Sequence, residues 1–267
     1  MSRPELDAQR KERIARNFAR SVATYDQQAR PQQWAAQVLL AEVEAHRPPP
    51  PAGPVLEIGC GTGGVSEGLA RQWPEREIWF TDLSARVLDA CRQRLARDSA
   101  AERLHWEVMD GETGPSRGEY ALIASGMALH WFADWPAVCR RWVGALRPGG
   151  VLAFSFQEAG SFPEWRAQCR QLGLPCTANR FPSQQEVEQV LAGQPVQGRC
   201  WAEEELERYP SAWAFFRSLK ETGTATSIAG ETLGAGAFRC LLRAWDRACP
   251  GGVEVRARCG FAVVRRC

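Results

Sequence analysis

Apolar and polar positions fall into blocks along this chain, and the period of the blocks changes twice. Between Leu6 and Tyr25 the apolar residues Ile14, Phe18 and Val22 recur at helical spacing in an otherwise polar stretch, which predicts an amphipathic helix. A second helix starts near Pro31, a residue suited to a first helical turn, and carries Trp34, Val38, Leu39 and Val43. The proline run within His46–Gly53 then reads as a stiff linker. From Val55 onward short apolar runs alternate with helical stretches: Val55–Ile58, Ile78–Asp82, Leu104–Asp110, Tyr120–Ser125 and Val151–Phe156, the last launched by Leu146-Arg-Pro-Gly-Gly150 at the end of a helix. After Phe156 the alternation stops. Ser161–Leu172 reads as helix, Gly173–Pro182 as loop, Ser183–Leu191 as helix, Gln197–Glu207 as extended and Ser211–Leu219 as helix. A Gly/Thr/Ala-rich flexible loop over Thr222–Gly236, a helix over Ala237–Ala248 and a strand in Val253–Val264 complete the pattern. The expected fold is α/β, a seven-stranded and mostly parallel sheet with an antiparallel last strand. Residues 1–52 form an N-terminal helical lid and linker, and 53–267 the main domain with a substrate cap at about 158–195.

The first strand runs straight into Gly59-Cys-Gly61-Thr-Gly63, with helix signals (Val65, Leu69, Ala70) following at once. Strand, glycine turn and helix together make a nucleotide-binding unit, in which glycine permits backbone conformations closed to other residues and close approach of a ligand. Gly59-x-Gly61-x-x-Gly64 also satisfies the dinucleotide fingerprint, so the glycines alone do not choose the nucleotide. Glu57 does. A carboxylate two residues before the first glycine sits badly beside a pyrophosphate and well beside a cationic ligand such as S-adenosylmethionine. Asp82, at the end of the second strand, is placed to accept ribose hydroxyls, and Asp110, after the third, to hold an adenine amino group. Asp110 also reads as a turn former, and Glu57 as a partner of a backbone amide.

This order of motifs over roughly Val55–Phe156 resembles the class I S-adenosylmethionine-dependent methyltransferases, which carry a Rossmann-like sheet. Further islands resemble the malonyl-acyl-carrier-protein O-methyltransferases of biotin synthesis. They are Phe18-Ala-Arg20-Ser-Val-Ala-Thr-Tyr25-Asp26, Ala128-Leu-His-Trp131, Gly149–Ser155, Gly160–Arg166, Ala178–Pro182 and Phe216–Gly223. One departure stands out: the family often has Gln where this chain has His130. The resemblance implies methyl transfer from S-adenosylmethionine to the free carboxylate of a malonyl thioester, on an acyl carrier protein or coenzyme A. It implies a cofactor site of Glu57, Gly59, Cys60, Gly61, Asp82, Leu83, Asp110, Gly111 and Ser125. Tyr25 would close over the methyl donor from the lid, and Trp131 would wall the methyl path. Arg166, Asn179 and Arg180 would clamp the malonyl unit. His130 reads either as a base or as a structural lid residue. An acidic carrier would meet basic residues such as Arg16, Arg20, Arg217 and Lys220. Two rivals share the cofactor site: a methyltransferase acting on another small molecule, and a non-catalytic partner protein.

Composition narrows the field further. The 267 residues suit one elaborated domain. The formal charge of +2 gives no general grip on nucleic acid. Ten scattered cysteines without a Cys-x-x-Cys pair read as reduced thiols of a cytoplasmic protein. Histidines 46, 105 and 130 lack metal-ligand spacing, and neither a signal peptide nor a membrane span is expected.

Overall fold

The computed structural model describes residues 3–96, 101–115, 118–226 and 232–267. Two helices, α1 (Arg3–Gln28) and α2 (Arg30–Ala45), precede β1 (Val55–Ile58), α3 (Ser66–Gln72), β2 (Ile78–Asp82), α4 (Ala85–Leu95), β3 (Leu104–Val108) and β4 (Tyr120–Ser125). Then come α5 (Trp135–Ala145), β5 (Leu146–Gln157), α6 (Pro163–Gln171), α7 (Gln184–Ala192), β6 (Val196–Tyr209), α8 (Ala212–Glu221), α9 (Ala235–Ala248) and β7 (Val253–Arg266). The strands form one sheet in the order β3-β2-β1-β4-β5-β7-β6. β1 to β5 pair in parallel, and β7 runs antiparallel between β5 and β6. The antiparallel last strand is as the sequence pattern predicts.

Burial on both faces explains why the central strands are nearly all apolar. On one face Val55, Phe80, Leu122 and Val263 meet Leu39 and Val43 of α2, Leu69 of α3 and Leu88 of α4. On the other, Leu56, Ile123, Phe154 and Val264 meet Val138 and Trp142 of α5 and Val187 and Leu191 of α7. A Ser183/Glu186 capping box starts α7.

A third cluster gathers where β7 begins and β6 ends, with Trp165 of α6, Phe215 of α8, Leu241 and Trp245 of α9, and Val253 and Val255 of β7. The cap expected over 158–195 is therefore divided. Its first helix joins α8 and α9, whereas α7 belongs to the outer layer of the sheet. The aromatic residues on α8 and α9 supply the apolar face that α6 needs, and Val187 and Leu191 commit α7 elsewhere. The loop expected over Thr222–Gly236 is shorter than predicted, because α9 begins at Ala235; its residues 227–231 lie outside the described residues.

Candidate active site

A cavity of about 870 Å³ opens at the carboxyl ends of β1, β2, β4 and β5. It lies where strand order reverses between β1 and β4, the usual ligand crevice of a doubly wound sheet. Helix α1 roofs it with Ile14, Phe18, Val22 and Tyr25.

The end beneath the glycine turn is lined by Glu57, Gly59, Cys60, Gly61, Asp82, Leu83, Asp110 and Gly111. Gly59 and Gly61 take φ of 73° and 55°, conformations that favour glycine. A Cβ on Gly59 would come within 2.9 Å of Ala128, whereas one on Gly61 would stand in open space, so at Gly61 the bare backbone lines the cavity. Asp82 Oδ2 accepts from Gly61 N–H at 3.1 Å and Oδ1 from Ser84 N–H at 2.9 Å, which fixes the carboxylate against the turn. Each oxygen keeps a lone pair for a ribose hydroxyl. Burial raises the Asp82 pKa against these bonds. Glu57 is 1% exposed and accepts from Ser66 Oγ at 2.5 Å. Burial pushes it up to about 8, the Ser66 bond opposing and the Asp82 charge adding. Buried Glu57 and half-buried Asp82 under the turn disfavour a pyrophosphate and suit a cationic nucleoside, whose charge would draw the proton from Glu57.

Asp110 is held from the roof. Lys11 Nζ lies 2.9 Å from Asp110, 2.7 Å from Glu112 and 3.0 Å from Asp7. Arg10 pairs with Asp7 and Glu112 and donates to the Trp131 carbonyl. At the other end of α1, Asp26 accepts from Thr62 Oγ1 at 2.6 Å and Arg94 at 3.1 Å. Between these anchors Asn17 donates to Thr226 Oγ1 at 2.7 Å, and Thr24 to the Glu221 carbonyl at 2.8 Å. Nothing in the pattern of α1 announces these bonds, because a Lys or Arg on a polar helix face looks solvated until its partners on distant strands are known.

The far end is aromatic: Phe162, Trp165, Phe181, Phe215, Phe216 and Phe238 line it, with Tyr209, Gln157, Asn179 and His130. Among the described residues the cations along the cavity are Arg10, Lys11, Arg71 and Arg94, all on α1, α3 or α4; none lines this end. Trp131 stands between the ends, with the Phe18 ring edge-on to it at 5.4 Å. Phe18 also leans on Tyr25, 6.3 Å away. Burial raises the Tyr25 pKa, helped by the charges of Asp26 and Asp82, so its phenol keeps the proton.

His130 is 8% exposed, with Phe181 edge-on at 5.6 Å. The backbone N–H of Gln157 donates to its Nδ1 at 3.1 Å, which places the ring proton on Nε2. Burial lowers its pKa to about 3. At neutral pH the ring is therefore uncharged, with Nδ1 occupied by the Gln157 N–H and Nε2–H as its donor.

Three expected contacts are absent from the cavity wall. Ser125 is fully buried and donates to the Ile58 carbonyl at 2.8 Å, so it ties β4 to β1. Arg166 donates to the carbonyls of Ser161 at 3.2 Å and Asn179 at 2.8 Å, shaping the loop that presents Asn179. Arg180 has an 89% exposed side chain and lies 3.4 Å from Glu186. Backbone carbonyls and a surface acid claim the two arginines, and the cavity wall there is aromatic.

A methyltransferase-domain family model matches residues 55–150. The fold is similar to that of YcgJ from Bacillus subtilis, at TM-score 0.61 and 13% identity over 87% of this chain and 97% of that one. It is also similar to Haemonchus contortus phosphoethanolamine N-methyltransferase 2 in complex with S-adenosyl-L-methionine, at TM-score 0.52 and 17% identity over 86% of this chain and 53% of that one. The chain is an S-adenosylmethionine-dependent methyltransferase of the class I fold. In sequence it is 37% identical to a malonyl-[acyl-carrier protein] O-methyltransferase of Magnetococcus marinus, over 81% of this chain and 78% of that protein. One of the same name from Enterobacter lignolyticus is 32% identical over 90% and 93%. The biotin biosynthesis bifunctional protein BioCD of Bordetella avium is 33% identical over 88% of this chain and 49% of its own length. The chain belongs to the malonyl-[acyl-carrier protein] O-methyltransferase family.

Proposed function

We propose that this enzyme methylates the free carboxylate of a malonyl thioester carried by an acyl carrier protein, in the cytoplasm, giving the ester that enters biotin synthesis. The observation that carries this reading is the aromatic end of the cavity, without a described cation and continuous with the nucleoside end. A carboxylate is already ionised at pH 7 and needs no base. Its ester is neutral. A clamp of arginines would stabilise the reactant charge that the reaction removes, whereas an aromatic wall that excludes water leaves the carboxylate reactive.

When bound, S-adenosylmethionine supplies the methyl group on a sulfonium. Glu57, Asp82 and the glycine turn hold the nucleoside and its cationic end, and Asp110 flanks the adenine. Phe18 and Trp131 fence the path between the two ends. Tyr25 offers a protonated phenol from the roof. The His130 Nε2–H donates to the malonyl oxygens and aims the carboxylate. The lid of residues 1–52 and the cap helices complete the enclosure.

The test is incubation of the protein with S-adenosylmethionine and malonyl-acyl carrier protein, read by mass spectrometry. A methyl group on the malonyl unit is expected. Transfer only to an aromatic or amine acceptor, with the malonyl unit unchanged, refutes the reading.

A further inference from the structure

The outer faces of α8 and α9 carry charge for which methyl transfer has no use. Arg239, Arg243 and Arg247 stand four residues apart on α9, all exposed, while Leu241 and Trp245 of the same helix are buried. Like charges at this spacing repel one another and weaken a helix. Among the described residues no carboxylate forms an ion pair with any of the three. The acids nearby are engaged elsewhere: Glu221 lies 2.7 Å from Arg217 on α8, and Asp246 accepts from Ala212 N–H at 2.7 Å. Lys220 is a further exposed cation on α8. Next to this stripe Trp213 is 56% exposed, its ring 6.5 Å from Phe238. The protein as a whole is nearly neutral, so the stripe is a local field.

The inner faces of the same helices wall the acceptor end of the cavity, through Phe216 and Leu219 of α8 and Phe238 of α9. Thr224, Ala225, Thr232 and Leu233, which lie between the two helices in sequence, also line it, and Ala225 and Thr232 are exposed. Basic face and cavity rim therefore adjoin. We infer that the stripe Arg239–Arg243–Arg247, with Lys220 and Trp213, docks an acidic carrier protein whose thioester arm enters beside Phe238. The inference rests on the malonyl thioester reading above. Complementary charge of this kind acts mainly on encounter and register, so it appears in KM and in salt dependence.

The experiment compares malonyl-acyl carrier protein with malonyl-coenzyme A as acceptors for the wild type, Arg239→Glu/Arg243→Glu and Arg239→Lys/Arg243→Lys. For the charge reversal, KM for the carrier rises about tenfold or more, the size expected for rim charges. KM for the coenzyme A ester and kcat for both stay near wild type. The lysine pair recovers most of the loss, which a merely structural role for the arginines would not allow. Wild-type KM for the carrier rises with salt, and that slope flattens in the reversal. An unchanged carrier KM, or an equal rise for both acceptors, overturns the docking face while leaving the reaction intact. Failure of the wild type to methylate either malonyl thioester overturns the underlying reading instead.

Discussion

Replacing His130 by leucine removes two things that can be measured apart. The first is the bond from the Gln157 backbone N–H to Nδ1, after which a buried donor at the end of β5 has no acceptor. An unsatisfied buried donor costs about 1–3 kcal/mol, so the melting temperature falls. The second is the Nε2–H that, on the proposed reading, donates to the substrate carboxylate. A hydrogen bond to a charged group contributes about 1.5–3 kcal/mol and is strongest to the ionised reactant, so its loss raises KM more than it lowers kcat, and kcat/KM for the malonyl acceptor drops by at most roughly ten- to 150-fold. His130→Gln, with an amide N–H of its own, recovers most of the activity. The ring pKa of about 3 lies far below the ordinary 6.5, so wild-type kcat/KM shows no histidine limb between pH 5 and 8. Stability behaves differently. The unfolded chain takes up this proton below pH 6.5 and the folded one does not, so His130 costs nothing above about 6.5 and destabilises progressively as pH falls toward 3. Steady-state kinetics across pH, with melting curves on all three proteins, make the assay. A wild-type limb near 6.5 that vanishes in His130→Gln would mean the ring works as a base, and the neutral-donor assignment fails.

Other expectations follow from the same geometry. Glu57 holds its proton up to about pH 8 when folded but only to about 4.5 when unfolded, so its contribution to stability falls as pH rises through that window. Affinity for the cationic donor rises over the same range with release of about one proton, and Glu57→Gln abolishes the trend; titration calorimetry in buffers of different ionisation heat checks it, and an unaltered pH dependence in the variant contradicts the placement. Lys11→Ala leaves Asp7, Asp110 and Glu112 facing one another, which loosens α1 by about 1 kcal/mol, roughly fivefold; limited proteolysis within residues 3–28 should quicken, and equal protection counts against the anchor. Arg180→Ala should leave KM within about twofold, because the side chain is solvated. Arg166→Ala should lower the melting temperature and raise the acceptor KM through the Asn179 loop; a kinetic effect at Arg180 and none at Arg166 would reverse the two roles.

Much of the donor end was legible because it depends on local order along the chain. A carboxylate before a glycine turn and an acid closing the next strand define positions on a sheet that β-branched and apolar runs already specify, so Glu57 and Asp82 arrive where they were expected. Ser125 shows the limit of that logic. It too ends a strand, yet its hydroxyl is taken by the Ile58 carbonyl, a choice made by the neighbouring strand and invisible in spacing. The acceptor end was less legible, since Phe162, Phe181, Phe215 and Phe238 come from separate segments that meet only in the folded cap. Arg166 and Arg180 looked like a clamp because arginine suits a carboxylate, but backbone carbonyls and Glu186 compete for them. The anchors of α1 were the least legible: Lys11 and Asp110 lie ninety-nine residues apart, and no periodicity encodes such a pair.

Because α1 lines the cavity from its nucleoside end toward its aromatic end, anchored at Asp110 on one flank and at Thr62 and Arg94 on the other, access to the two ends is mechanically joined. On the proposed reading, raising α1 to exchange the demethylated donor would bare the aromatic wall as well. A turnover coupled in this way would require a full opening and favour clearing the finished ester before a fresh sulfonium is enclosed.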